Sequence, residues 1–294
     1  MKSFLWLVRR ELWENRAIWI IPLALGALLT LAALFGTVQA TFTGPPLAGG
    51  AAAGAAPEVG RTMAELMLLL YGSLFFATMS IYSYWYLLDC LYADRRDRSI
   101  LFWKSLPISD AAAVLSKVLV GILAIPLIYF AIADATTLLA AFILSVRLHS
   151  LAAGALWRAD LWLELQASWA YLILTCAVWY LPVTGWLLVV SAFAKRALVL
   201  WSILPPLGVM LAERLLLGTH VVSRALEERL VGYPSAAFRG TGSWESLRSG
   251  AVSAWTLMDP AGFLADPSVW IGLLAGAGLI AAAVRLRALQ AEAS

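Results

Sequence analysis

Charged and metal-binding side chains are scarce in this chain of 294 residues. Asp, Glu, Lys and Arg make up only 13% of it, and it contains two cysteines and two histidines. His149 and His220 lie in different segments, without a cysteine or carboxylate at ligand spacing, so the sequence predicts no metal site. Cys90 and Cys176 fall in or near long apolar runs and are interpreted as small apolar filling residues. They therefore carry no information about the redox compartment.

The chain also lacks the motifs of nucleotide binding and of catalysis within a membrane. None of its lysines follows a Gly-x-x-x-x-Gly run, so it cannot bind ATP through a P-loop. A membrane-embedded enzyme needs paired acids, a histidine cluster, or a nucleophile beside a base at membrane depth. Only Asp134 is placed at that depth. An intramembrane lipid-modifying enzyme and a non-transporting membrane scaffold subunit remain as alternative functions.

Long apolar runs dominate what is present. The chain is 62% hydrophobic with a mean hydropathy of +0.83, well above an ordinary soluble domain. A helix that crosses the hydrocarbon core needs about 20 apolar residues. We therefore predict an all-α membrane protein, a single transmembrane domain over 1–294 with six transmembrane helices. The spans are predicted at 17–38, 66–88, 118–146, 169–193, 198–217 and 269–284.

The positive charges predict the orientation. Lysines and arginines concentrate in the N-terminal tail, between spans two and three, after span four and after span six. By the positive-inside rule these segments, and both termini, are expected in the cytoplasm, with the protein in the inner (plasma) membrane. The net charge of +3 then reflects topology, and no nucleic-acid partner is expected. A signal peptide is not expected either, because Glu11 and Glu14 precede an apolar run that is too long for one.

Two segments outside the spans have helical patterns of their own. Residues 1–16 alternate apolar and charged side chains as an amphipathic helix that lies in the membrane interface. Residues 218–268 form an outer segment before span six, with helical periodicity over 222–230 and 244–257.

The connection between spans two and three contains the most unusual sequence of the chain. The charged block Asp94-Arg-Arg-Asp-Arg-Ser99 is followed by the apolar block Ile100-Leu-Phe-Trp103. The first block is too charged to lie in lipid, and the second is too short to span it. A helix along the cytoplasmic surface over 92–107 satisfies both, with Pro107 ending it and Ser109 and Asp110 capping the next helix.

This connection resembles a segment of the permease subunits of ABC-2 type transporters. There, an acidic run with arginine is followed by Gly-Thr-Leu-Glu, several apolar residues and Ser-Leu-Pro-Val-Ser. This chain has Asp94-Arg-Arg-Asp97, then Arg98-Ser-Ile-Leu101, and later Ser105-Leu-Pro-Ile-Ser109. Arg98, Ser99 and Leu101 depart from the family pattern, whereas the position of the segment and its Ser-Leu-Pro ending agree with it.

The resemblance implies a function. In that family the segment is the coupling helix, which sits in a cleft of a cytoplasmic ATPase subunit, and ATP and Mg are bound by that partner and not by the permease. It also implies a second permease subunit, in a homodimer or heterodimer surrounded by membrane lipids, and export as the direction of transport. The residues that it implies for ATPase coupling are Asp94, Arg95, Arg96, Asp97, Arg98, Ser99, Phe102, Trp103, Leu106 and Pro107.

A basic helix beside a membrane can instead bind anionic lipid, a contribution of about 1 kcal/mol per arginine. Charge reversal at Arg95 and Arg96 separates the two interpretations, since only coupling predicts a loss of ATPase stimulation.

Asp134 is predicted near the middle of span three. A charged carboxylate there costs about 2.5–3.5 kcal/mol on insertion scales, so such residues usually face a cavity or a partner. One hypothesis places it in the substrate pathway. The other is a protonated Asp134 with a structural hydrogen bond to a neighbouring helix, for example through Thr136 or Thr137.

Overall fold

A computed structural model describes residues 2–36, 52–97, 109–148, 157–239 and 254–292. Within these ranges the chain is helical and forms no strand, apart from a single bridge between Phe238 and Met258. Six helical stretches, two of which include a π-helical segment, are long and apolar enough to cross a membrane. The prediction of an all-α membrane protein with six spanning helices is confirmed at that level.

The helices are numbered here along the chain. They are α1 (Lys2–Glu14), α2 (Ala17–Phe35), α3 (Ala52–Arg96), α4 (Asp110–Leu119), α5 (Ile125–Leu148), α6 (Ala159–Trp179), α7 (Leu181–Phe193), α8 (Leu198–Ala212), α9 (Val221–Val231), α10 (Tyr233–Ala237), α11 (Ala254–Leu257), α12 (Pro260–Ala265) and α13 (Pro267–Glu292). Two π-helical segments, Val120–Ala124 and Glu213–Leu217, follow α4 and α8 directly.

The core is a continuous packing of long helices. Helix α13 lies along α7, α7 lies along α3, α3 contacts α5, and α5 lies along α2. Phe75, Leu88, Tyr129 and Leu188 are fully buried among them. Outward-facing positions remain apolar, as on α8, where Leu204 and Leu211 are exposed. An apolar surface of this kind is expected where lipid is the solvent.

Glycines allow α7 and α13 to approach closely. A methyl group on Gly185 would lie 2.7 Å from Cβ of Leu279, and one on Gly276 would lie 2.7 Å from the backbone of Leu181. Small residues at such crossings let membrane helices pack backbone to backbone, which compensates for the weak hydrophobic drive inside a bilayer. The contact fixes the last helix of the chain against the middle of the bundle.

The region predicted as one span at 169–193 falls on two helices, the C-terminal half of α6 and all of α7. They are separated at Tyr180, which has φ −87° and ψ 10°. Pro182 follows at the start of α7, where its fixed φ and missing N–H are tolerated. The break between α6 and α7 therefore places Pro182 in the first turn of a helix, where a proline is tolerated.

The segment between α8 and α13 packs along the side of α6. Tyr233 and Phe263 surround Trp179, and the Tyr171 hydroxyl donates to the carbonyl of Ala237 at 2.6 Å. The Arg229 guanidinium lies 4.5 Å from the centre of the Trp179 ring, a cation–π contact. The described part of this segment thus reaches the C-terminal half of α6.

Glu213 links α8 to α9. Its carboxylate accepts hydrogen bonds from the backbone N–H of Val221 at 2.5 Å and of Val222 at 3.0 Å, and from the Thr219 hydroxyl at 3.0 Å. An acid at this place satisfies N–H groups that the first turn of a helix leaves free. Glu213 is therefore a helix-capping residue.

Candidate functional site: a buried charged cluster

The structure describes both ends of the connection between α3 and α4. Asp94, Arg95 and Arg96 form the last turn of α3, followed by Asp97. Ser109 caps α4, as predicted, because its Oγ accepts the N–H of Ala112 at 3.2 Å. The other predicted coupling residues lie outside the described residues; they are Arg98, Ser99, Phe102, Trp103, Leu106 and Pro107.

A buried lysine joins three helices beside these ends. Lys117 of α4 is only 4% exposed. Its Nζ donates to Oε1 of Glu11 on α1 at 2.7 Å and lies 3.4 Å from Oδ1 of Asp94 on α3. Hydrogen bonds between ionised groups are stronger than neutral ones, and a charge this deeply buried is retained only when it is paired. Lys117 therefore fixes α1 and α3 to α4.

A buried arginine reaches the same cluster from the last helix. Arg287 of α13 is 5% exposed. Its Nη1 donates to Oδ2 of Asp94 at 3.0 Å, and its Nε donates to Oδ1 of Asp110 at 3.1 Å. The planar guanidinium presents several donors in a fixed geometry, which suits such bridging. A single side chain thus binds a carboxylate at each end of the connection that runs through 98–108.

Glu11 uses both of its carboxylate oxygens. Oε1 binds Lys117, and Oε2 accepts the hydroxyl hydrogen of Tyr86 at 3.1 Å. We refer to Glu11, Asp94, Asp110, Lys117 and Arg287 as the charged cluster. It contains three acids and two bases from four helices. Removal of one partner from such a buried group costs about 3–5 kcal/mol, because the charge left behind is uncompensated.

Arg95 points into the bundle next to this cluster. Its Nη2 donates to the carbonyls of Ser191 at 2.6 Å and Ala194 at 2.8 Å, at the end of α7. The Ser191 Oγ in turn accepts the N–H of Leu91 at 3.0 Å. Arg96 differs from Arg95, since its side chain is 55% exposed and pairs with the adjacent Asp97 at 3.1 Å. The two neighbouring arginines therefore have separate roles, one within the fold and one at the surface.

A groove of about 690 Å³ runs along the cluster between α1, α3 and α4. Glu14, Asp89 and Asp97 line it together with Glu11 and Asp94 of the cluster, and Arg10 and Arg96 line it beside Lys117. The groove is thus a polar surface that carries both signs of charge, at the C-terminal end of α3.

Asp134 is half-buried in α5 and has a partner on α6. Gln166 donates to its Oδ1 at 2.6 Å. Thr136 and Thr137 donate instead to carbonyls of their own helix, those of Ile132 and Ala133, both at 2.7 Å. The interhelical hydrogen bond expected by the structural hypothesis is present, but through Gln166, which the sequence did not single out.

Sequence reasoning missed most of the charged cluster. The sequence predicts Lys117 and Arg287 as cytoplasmic charges that orient the chain, with Lys117 at the entry into span three, and it places Glu11 on the polar face of an interfacial helix. A possible signal was that Lys117 and Arg287 interrupt otherwise apolar helices, where a charge is costly without a partner. Nothing in the sequence indicates which acid each base binds, because Arg287 and Asp94 lie 193 residues apart.

Within the described ranges, no group of His, Cys, Asp and Glu could hold a metal ion. Comparisons with protein-family models, with curated proteins and with solved structures found no match.

Proposed function

We propose that this chain is the membrane-spanning permease subunit of an ABC transporter. It exports its substrate with ATP hydrolysed by a separate cytoplasmic ATPase subunit, which binds ATP and Mg. The chain works in a dimer with a second permease subunit in the inner membrane, with both termini in the cytoplasm.

The observation that carries the proposal is the contact of Arg287 with both Asp94 and Asp110. These acids lie in the last turn of α3 and at the first residue of α4, on either side of the connection whose Ser105-Leu-Pro-Ile-Ser109 ending resembles the end of the coupling helix of the family. A segment that is gripped by another protein transmits movement only if its ends are firmly attached to the helices that must move. Buried ion pairs on four helices supply such an attachment.

The contacts also suggest which helices respond. A displacement of Asp94 acts on α3 directly, on α4 and α1 through Lys117 and Glu11, and on α13 through Arg287. Because α13 packs tightly on α7, the same displacement reaches the broken span formed by α6 and α7. The charged cluster is therefore proposed as the junction between the ATPase and the transmembrane helices.

Recovery of the partner tests the proposal. The full chain, tagged and purified in mild detergent from its native membrane, is expected to bring down an ATPase subunit in stoichiometric amount. Trp103→Ala, within the proposed coupling segment, should lose this partner while the amount of protein in the membrane is unchanged. Trp157→Ala, an exposed tryptophan just before α6, is the matched control. Absence of any ATPase with the unaltered chain would refute the proposal.

The charge-reversal test of coupling uses Arg96 alone, because Arg95 is part of the fold. Arg95→Glu would place a carboxylate against the carbonyls of Ser191 and Ala194 and damage the fold. Arg96→Glu changes an exposed side chain. Loss of ATPase stimulation in the Arg96 variant favours coupling, whereas unchanged stimulation with weaker binding to anionic vesicles favours lipid anchoring alone.

A further inference from the structure

Helices α3 and α6 face each other across a gap within the membrane-spanning region. On α3 the facing side chains include Phe76, Met79 and Ser83, and on α6 they include Leu172 and Cys176. Their spacing of three and four residues keeps them on one face of each helix. The two helices make few close backbone contacts along these faces, and cavities occupy the space between them.

The cavity nearer the charged cluster has a volume of about 310 Å³, within the usual range for small-molecule sites. Its described lining contains no charged side chain. Apolar groups predominate, and hydroxyl-bearing residues complete the lining: Ser80, Ser83, Tyr84, Tyr180 and Thr184. A charged ligand would be desolvated there without a counter-charge, at a large cost. The lining therefore favours an uncharged molecule.

Ser83 supplies a hydrogen-bonding group without a partner. Other described serine and threonine hydroxyls on α3 donate to carbonyls of their own helix, for example Thr78 to Leu74 at 2.9 Å and Ser80 to Phe76 at 2.8 Å. The Oγ of Ser83 is buried and has no partner among the described residues. A buried polar atom in this condition costs about 1–3 kcal/mol, so an explanation is required. A ligand oxygen that accepts its hydrogen would remove that cost.

A stretch of irregular backbone beside α3 also lines this cavity. Gly121 and Ile122 line the cavity from the π-helical segment Val120–Ala124. A methyl group on Gly121 would lie 2.6 Å from Cδ2 of Leu87 on α3. Single π-helical turns within α-helices occur frequently at functional sites. The π-helical segment and the unpartnered hydroxyl of Ser83 thus line the same cavity.

A second cavity, of about 430 Å³, continues the gap toward the start of α6. Phe76 and Leu172 line both cavities, so they form the boundary between them. The second cavity is lined mostly by apolar side chains, and Phe238 contributes to it from beyond α10. Together the two spaces suit an elongated molecule with a long apolar part.

We infer that the gap between α3 and α6 binds an uncharged, elongated apolar molecule that carries a hydrogen-bond-accepting oxygen at one end. The oxygen accepts the hydrogen bond of Ser83, and the apolar chain passes Phe76 and Leu172 into the second cavity. This site belongs to the single chain and goes beyond the proposed function, because binding requires neither an ATPase nor a second permease.

The two cysteines give a direct assay. Cys176 lines the first cavity, whereas Cys90 lies in the charged groove. In phosphatidylcholine vesicles, methyl palmitate should slow the labelling of Cys176 by a membrane-permeant maleimide, as measured by peptide mass spectrometry, whereas the buried Cys90 should stay unlabelled with or without the ester. Palmitate carries a charge, and hexadecane lacks a hydrogen-bond acceptor. Both should therefore protect Cys176 much less than methyl palmitate does.

Variants identify the contacts. Ser83→Ala should weaken protection about 2- to 12-fold, the range that corresponds to one hydrogen bond of about 0.5–1.5 kcal/mol. Ser80→Ala is the matched control, since that hydroxyl lines the same cavity but is bonded within its helix. Phe76→Trp or Leu172→Phe should abolish protection by methyl palmitate and retain protection by the shorter methyl octanoate. Equal protection by palmitate, or equal effects of the two serine variants, would overturn the inference. The ATPase recovery experiment is independent of either result.

Discussion

Replacement of Lys117 by methionine removes the central base of the charged cluster while it keeps most of the side-chain volume. The carboxylates of Glu11 and Asp94 are then left within a site where their side chains are 8% and 13% exposed. Loss of one partner from a buried ion pair costs about 3–5 kcal/mol. Glu11 keeps its hydrogen bond from Tyr86 and Asp94 keeps Arg287, so we expect the lower half of that range.

The free energy of unfolding can be followed by intrinsic tryptophan fluorescence during denaturant titration in mixed micelles. The double variant Lys117→Met with Glu11→Gln removes the excess carboxylate, and the amide oxygen can still accept from Tyr86. It should recover much of the loss, because a buried ion pair is often replaceable by neutral groups at small cost. The amount of stability that the double variant recovers would measure the interaction free energy between Lys117 and Glu11.

Glu14→Gln provides the control, because Glu14 lies on α1 together with Glu11. Glu14 pairs with Arg10, and its side chain is 49% exposed. Exposed pairs of this kind contribute about 0.3–0.5 kcal/mol. The reasoning fails if Lys117→Met is no more destabilising than Glu14→Gln, or if the double variant is as unstable as Lys117→Met alone.

Three further predictions concern other parts of the molecule. Arg96→Glu should reduce ATPase stimulation in reconstituted vesicles while the unfolding transition stays unchanged, since this side chain is exposed. Gln166→Leu should destabilise the protein by about 1–3 kcal/mol in the fluorescence assay, because it removes the hydrogen bond of the half-buried Asp134; Asp134→Asn, which can still accept that bond, should cost less. The pKa of Asp259 is lowered to about 2, first by its hydrogen bond with Arg239 and then by the N–H of Gly262. The stability that this acid contributes should therefore be present above its unfolded pKa of about 3.9 and be lost as the pH falls toward 2; Arg239→Ala should move that loss to higher pH, measured by hydrogen exchange of α12.

Local features of the fold could be predicted from the sequence, and long-range partners could not. The apolar runs predicted six spanning helices because length and hydropathy act within each segment. The Ser109 cap followed from a rule that links a side chain to an N–H three residues later. Lys117 and Glu11, by contrast, meet only because α1 folds back onto α4. Their pairing depends on helix packing, about which hydrophobic periodicity carries no information.

The same limit applies to Asp134. A charged carboxylate in the middle of the membrane is costly, so its depth predicted that Asp134 needs a partner. Gln166 is that partner. The identity of that partner depends on how α5 and α6 are rotated against each other. Thr136 and Thr137 were nearer in sequence, but on a helix each threonine can satisfy its hydroxyl with the carbonyl four residues earlier. The side chain of Gln166 has no such local alternative among its described contacts.

The position of Arg287 has a consequence for biosynthesis. A chain is synthesised from its N-terminus, and folding proceeds largely in that order. Asp94 and Asp110 are in place long before α13 is made, and each lacks the guanidinium that it binds in the finished protein. The cluster can close only when the final span has entered the membrane and docked on α7. Until α13 has docked, Asp94 and Asp110 therefore both lack the guanidinium of Arg287, and Asp94 has Lys117 as the basic partner that is already present.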